Sequence, residues 1–317
     1  MDKSLNLPKY IFGPVPSRRL GRSLGVDLVP YKTCTFDCIY CDLGRTTHQT
    51  LSRQSYVSPQ EIQGELDLTL SSLEKKPDYI TLSGSGEPML NTHIGEIIRK
   101  IKEITSTPVA VITNGSLLAM DEVREDLLEA DVVLPSLDAI TPALFEYINR
   151  PHTSLRIEEI ISGLIQFRKQ YGGQIWLETV FCRGVNDGNE EVEKFKGIIE
   201  KIQPDRVQLN TPVRPPAEEF AYPLTSTQLE EIRQALGDRA EIISEFAFPL
   251  GEELNSVKDD EIINMIKRRP CTAEDISKAL GLRVDEVMKH LSYLIKIGTI
   301  KYRMYERRCY YESTPIN

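Results

Sequence analysis

The stretch Tyr31 to Asp42 reads YKTCTFDCIYCD and sets Cys34, Cys38 and Cys41 in C-x-x-x-C-x-x-C spacing, with Tyr40 just before the third cysteine. Three thiolates on one tight loop can each hold one iron of a cubane cluster, which leaves the fourth iron without a protein ligand. A structural metal site is closed by four protein ligands, whereas a site that does chemistry keeps a position open. The stretch therefore predicts a reactive metal centre. Zinc is the rival occupant, with His48 as fourth ligand, but the loop lacks the paired C-x-x-C halves usual in zinc sites. Cys182, Cys271 and Cys309 lie far apart, so the six cysteines of this 317-residue chain do not form a disulfide scaffold.

On either side of the loop the chain alternates short apolar runs with amphipathic ones. Residues up to Gly25 read as an irregular lead-in, since Pro14 and Pro16 oppose regular structure, and Arg18, Arg19 and Arg22 crowd it as a candidate phosphate clamp. Strands are expected at Leu24 to Val29, Tyr79 to Gly84, Pro108 to Thr113, Asp131 to Ser136, Ile175 to Phe181 and Arg206 to Asn210. Helices are expected near Pro59 to Leu73, Ile94 to Ile104, Met120 to Glu129, Glu190 to Ile202 and Thr227 to Leu236, with helical segments between Pro142 and Tyr171 broken at Arg150-Pro151. Near-continuous apolar strands in strand-helix repeats predict an α/β fold with a parallel sheet, either a barrel or an open doubly wound sheet.

After a further expected strand at Ala240 to Phe248 comes the polar stretch PLGEELNSVKDD, which divides the chain into 1–250, a linker at 251–258 and a small domain at 259–317. The tail reads as helices Asp260 to Lys267, Ala273 to Leu280 and Val284 to Ile297, then a hairpin Thr299 to Tyr311, with Thr272 and Asp275 as a capping box. This order resembles a winged helix-turn-helix domain. Between Asn264 and Tyr311 eleven basic residues face five acidic ones, although the whole chain carries a net charge of -9. That asymmetry suits a module that brings an acidic enzyme to nucleic acid. Asp285-Glu286 opens the helix that would enter a groove and would repel phosphates, so the hairpin KYRMYERRCY is the better nucleic-acid face. Docking of a protein partner is the other use of the tail. The overall acidity excludes wholesale coating of nucleic acid or membrane, no apolar run reaches a membrane span, and the N-terminus lacks a signal-peptide core, so a cytoplasmic protein is expected.

Polar motifs fall at the ends of the expected strands, where a barrel keeps its active residues. SGSGEP, Ser83 to Pro88, combines glycines that admit close backbone approach with the Glu87 carboxylate. TNG places Asn114, and SLDA places Ser136 and Asp138; both are also ordinary strand-to-helix turn and cap sequences. Period-two alternation puts Trp176, Glu178, Val180 and Cys182 on one face, with Glu178 directed into a barrel and Cys182 either at its mouth or a small core residue. LNTPVRPPAE adds Gln208, Asn210, Thr211 and Arg214 as substrate contacts or as a structural turn.

Together the cysteine spacing with Tyr40, SGSGEP, TNG and SLDA resemble the radical S-adenosylmethionine (radical SAM) superfamily over Tyr10 to Phe248. The resemblance implies a partial (β/α)6 TIM-type barrel that holds a 4Fe-4S cluster through Cys34, Cys38 and Cys41. It implies SAM contacts at Tyr40, Gly84, Gly86, Glu87, Pro88, Asn114, Ser136, Asp138 and Glu178, reductive SAM cleavage to a 5′-deoxyadenosyl radical, and hydrogen abstraction from a substrate. An electron donor such as flavodoxin or ferredoxin would serve the cluster. GPVPSRRLGRSLGVDLVPYKTC and NTPVRPPAE are further similar to a group of iron-sulfur oxidoreductases related to the tRNA wyosine-synthesis enzymes, which implies tRNA modification. The chain departs from the archaeal wyosine enzymes in having no cysteine before Cys34 and no matched Schiff-base lysine. Two other classes stay open: a radical SAM activase acting on a protein partner, and a redox-sensing regulator that binds DNA through its tail.

Overall fold

The computed structural model describes residues 9–243 and 259–314. Strands β1 (Ile11–Ser17) and β2 (Gly21–Val26) pair as an antiparallel hairpin, which corrects the irregular lead-in expected from its prolines. The reason is position: β1 ends the eight-stranded sheet, where a missing N–H costs no ladder bond, and the register shifts between Phe12 and Val15, around Pro14. Short β3 (Thr33–Cys34) and β4 (His48–Gln49) pair beside the cysteine loop. The chain continues through α1 (Pro59–Ser72), β5 (Tyr79–Leu82), α2 (Ile94–Ile104), β6 (Val109–Thr113), α3 (Asp121–Asp126) and β7 (Val132–Pro135). Next come α4 (Pro142–Ile148), α5 (Ile157–Gln170), β8 (Gln174–Val180), α6 (Asn189–Ile202), β9 (Arg206–Asn210), α7 (Ser226–Leu236) and β10 (Ala240–Ile242). The remainder of the strand expected to reach Phe248, and the linker, lie outside the described residues.

The sheet order is β1-β2-β5-β6-β7-β8-β9-β10, parallel from β2 onward. Neighbours in the sheet follow chain order without the reversal of a doubly wound sheet, so the strands wind as a barrel. Among the described residues β1 and β10 do not pair, which makes the barrel partial. Alternation along the strands sorts two cores. Val109, Val111, Val133, Ile175 and Leu177 face the outer helices, whereas Ala110, Val132, Leu134 and Trp176 join Leu20 in a separate buried cluster on the other face. Each helix supplies a matching stripe: α2 buries Ile94, Ile97, Ile98 and Ile101, as its spacing requires.

The tail folds as α8 (Asp259–Arg268), α9 (Ala273–Leu280), α10 (Val284–Lys296) and the antiparallel pair β11 (Ile300–Tyr305) and β12 (Arg308–Ser313). Ile262, Ile276, Val287, Leu291 and Ile300 form its own core. It also rests on the barrel. Arg268 Nη1 donates to Asp27 Oδ2 at 3.3 Å with its guanidinium 4.0 Å from the centre of the Phe12 ring, and the Tyr310 hydroxyl donates to the Val213 carbonyl at 2.5 Å. Among the described residues no helix is long and apolar enough to cross a membrane.

Candidate active site

A cavity of about 1300 Å³ opens at the C-terminal ends of the parallel strands, with the cysteine loop on one wall. Beyond the apolar cluster of Leu20, Leu134 and Trp176, on the same strand face, comes a polar layer. Glu178 stands two residues beyond Trp176 and pairs with Arg19, while Asn210 Nδ2 donates to Glu178 Oε1 at 2.8 Å. Arg18 Nη1 in turn donates to Asn210 Oδ1 at 3.0 Å. Burial, helped by the nearby Arg214 and Arg19 charges, pushes the Arg18 guanidinium down to about 10.

Cys34, Cys38 and Cys41 all line this cavity. Two amides point at their sulfurs: Asn114 Nδ2 lies 3.5 Å from Cys34 Sγ and Asn149 Nδ2 lies 3.4 Å from Cys38 Sγ. Burial pushes the Cys34 and Cys41 thiols up to about 12, and Cys38 is raised well above its ordinary value, also first by burial. A thiol deprived of water ionises only where another positive charge replaces that hydration, and iron supplies such a charge. Three soft sulfurs with amide donors behind them therefore fit an iron-sulfur cluster. Among the described residues no three His, Cys, Asp or Glu side chains are placed to hold a single metal ion, and His48 is exposed on β4, so zinc loses its expected set.

The SGSGEP loop is stitched to the cysteine strand through backbone bonds. Lys32 N donates to Ser85 O at 2.6 Å, and Glu87 N to Thr33 O at 3.0 Å. Contact this close explains the glycines: a Cβ on Gly86 would lie 1.8 Å from Thr33 O, and one on Gly84, whose φ is +137°, would lie 2.6 Å from Asp27 Cγ. The Glu87 carboxylate turns inward, accepting from Thr113 Oγ1 at 2.7 Å, Asn114 N at 2.8 Å and Met89 N at 3.1 Å. Burial pushes it up to about 7 against those three donors. Asp138 is buried likewise, accepting from the Tyr40 hydroxyl at 2.5 Å, Asn149 Nδ2 at 2.7 Å and Val180 N at 2.8 Å, and burial pushes it up to about 6.

Of the residues named from the sequence, the three cysteines, Tyr40, Gly84, Gly86, Ser136 and Glu178 line one cavity. Glu87, Pro88, Asn114 and Asp138 stand behind that wall. Glu87 and Asp138 hold Asn114 and Tyr40 in place, and buried Pro88 begins the short turn that Glu87 caps. Cys182 is a core residue. Cys271 lines the tail side of the cavity, and Cys309 packs against the tail core. Asn149 and Asp27 are contacts that sequence reasoning missed. Asp27 had one signal, a carboxylate inside an apolar strand; Asn149 had none beyond its place before Arg150-Pro151.

A parallel partial barrel with a three-cysteine loop beyond its strand ends defines a class. The chain belongs to the radical SAM superfamily, whose family model matches residues 28–195. Members use a 4Fe-4S cluster and SAM. Closer relatives are UPF0026 proteins: one from Methanocaldococcus jannaschii is 36% identical over 73% of this chain and 71% of its own length. Another, from Helicobacter pylori strain 26695, is 31% identical over 93% of this chain and 97% of its own. A longer Brachyspira hyodysenteriae protein named GTPase Obg is 38% identical over 94% of this chain, which spans 44% of that protein. Among solved structures, a Sphaerobacter thermophilus radical SAM methyltransferase superposes with a TM-score of 0.54 at 19% identity, covering 69% of this chain and 65% of its own. Streptococcus suis SuiB bound to its precursor peptide gives 0.54 at 12% identity, over 69% and 48%. These two likenesses are of fold.

Proposed function

We propose that Cys34, Cys38 and Cys41 ligate three irons of a 4Fe-4S cluster and that SAM binds beside it along Gly84 to Gly86. The observation that carries this reading is the common wall: three thiols and a glycine loop, joined by backbone hydrogen bonds, face one cavity. Reductive cleavage of SAM to methionine and a 5′-deoxyadenosyl radical, which takes a hydrogen from substrate, is the chemistry these groups supply when bound. The chain's own residues do the rest. Asn114 and Asn149 donate to the cysteine sulfurs, a lever on cluster potential. Tyr40, held by Asp138, fixes the loop between Cys38 and Cys41, and Leu20 with Trp176 close the interior to water. A flavodoxin or ferredoxin supplies the electron, in the reducing cytoplasm.

RNA, including tRNA, is the substrate class we favour over a protein partner. On β11 Tyr302 and Met304 share one face and are 62% and 60% exposed, a surface for base stacking, with Arg307 exposed at the turn that follows; Lys301 and Arg303 stand on the alternate face, paired with Glu312 and Glu219. The test is anaerobic reconstitution followed by dithionite and SAM. The expected result is 5′-deoxyadenosine from the wild type and none from C34A, C38A or C41A; an intact cluster without 5′-deoxyadenosine would sink the reading.

A further inference from the structure

We propose that a phosphate group of the substrate is gripped between Arg18, Arg214 and Arg269, so that the C-terminal unit supplies one of the three side chains of the grip. The inference rests on the radical SAM reading and adds to it the chemistry of the substrate and a role for the tail. The cavity, about 1300 Å³, exceeds the roughly 300–1,000 Å³ of a site for one small molecule, so a second molecule fits beside the cofactor. Its lining is cationic although the chain is acidic: eight arginine and lysine side chains face four carboxylates.

The arginines are not equally free. Arg19 is spent on Glu178 and Arg268 on Asp27, whereas Arg22 meets Asp78 through its backbone N–H, which leaves its guanidinium uncommitted there. Among the described residues Arg18 hydrogen-bonds only the neutral Asn210 amide. Among the described residues Arg214 makes one ion pair, with Asp42 at the limit of 4.0 Å, the charge of Asp275 also acts on it, and its Nε is buried without a hydrogen-bond partner. Arg269, just past α8, makes no ion pair or side-chain hydrogen bond among the described residues. All three line the same cavity. Arg214 is the first cause of the lowered Arg269 value, and both charges depress Arg18. Guanidinium groups gathered out of water repel one another unless an anion stands among them. A carboxylate satisfies one such fork, whereas the several oxygens and higher charge of a phosphate suit three. The phosphate clamp expected at Arg18, Arg19 and Arg22 is thereby redrawn: one arginine of the lead-in, one from the loop after β9 and one from the tail.

The test uses the full chain, anaerobically reconstituted with its cluster, and calorimetric titration with inorganic phosphate, 5′-AMP and a 5′-phosphorylated RNA decamer. Saturable phosphate binding is expected, weakened about tenfold or more by Arg214→Gln and Arg269→Gln, since each removes charge-assisted hydrogen bonds. Arg99→Gln, on the outer face of α2, should bind like the wild type. Should Arg269→Gln fail to fold, Arg269→Lys keeps the charge and loses the fork, and should bind phosphate more weakly than the wild type. Tighter binding of either AMP or the decamer than of inorganic phosphate supports the grip and names its source. No saturable binding of any probe by the wild type, or equal affinity in the wild type and the Arg269 variants, overturns the inference. 5′-Deoxyadenosine formation by the wild type is read separately: SAM cleavage without phosphate binding leaves the enzyme reading standing, and phosphate binding without SAM cleavage does the reverse.

Discussion

Gly86 runs so close to the cysteine strand that a Cβ there would lie 1.8 Å from Thr33 O, which is backbone and cannot swing aside. Gly86→Ala should therefore destabilise the fold by about 1–3 kcal/mol and lower cluster loading, measured by urea unfolding and by iron content. Gly64 gives the contrast, because a Cβ there meets nothing within 4 Å in the middle of α1. Gly64→Ala should stabilise by about 0.5–1 kcal/mol in the same unfolding assay. Glu87 makes a different claim. Burial raises it from 4.5 to about 7, so the folded state binds its proton more tightly than the unfolded chain does. Its contribution to stability is complete below pH 4.5 and is lost as pH rises towards 7. Asp138, raised to about 6, adds a slope of the same sign. Urea midpoints between these pH values should fall with pH, and Glu87→Gln should flatten the slope; a steeper slope in the variant would refute the assignment. The cysteines and the SGSGEP glycines were legible because their meaning is local. Asn149, Arg268 and Arg269 were not, because they meet the cysteine loop or the cavity only through tertiary packing.

The elements show the same division between local and distant causes. Helices α2 and α9 match their expected bounds, since an isoleucine stripe and a capping box are written within a dozen residues. Thr272 accepts from Asp275 N while Asp275 accepts from Thr272 N at 3.1 Å. Thr272→Ala should cost about 1 kcal/mol, read as faster hydrogen exchange in the first turn of α9. The hairpin of β1 and β2 failed the local rule. Proline opposes a strand in a sheet interior but not at an edge, and which strand lies at the edge is decided by the whole topology. Choosing a barrel over a doubly wound sheet needed the same information, because the strands read alike in both and only their order differs.

At the scale of the molecule, the tail is a wall of the cavity as well as a folded unit of its own. Arg268, between Asp27 and the Phe12 ring, is a principal clasp. Arg268→Ala should weaken docking by about 1–3 kcal/mol, raising hydrogen exchange in β1 and α8 while leaving β6 and β7 protected; unchanged exchange would remove Arg268 from the contact. Asp27 carries this clasp with an oxygen it also uses elsewhere. Oδ2 accepts from Arg268 and from the Ser85 hydroxyl, and Oδ1 accepts from Ser85 N at 3.1 Å. One carboxylate thus sits in the balance of two equilibria, the seating of the tail and the shape of the glycine loop. Thermodynamic reciprocity follows: whatever free energy a ligand at the glycine loop adds to tail docking, docking of the tail returns to that ligand's affinity.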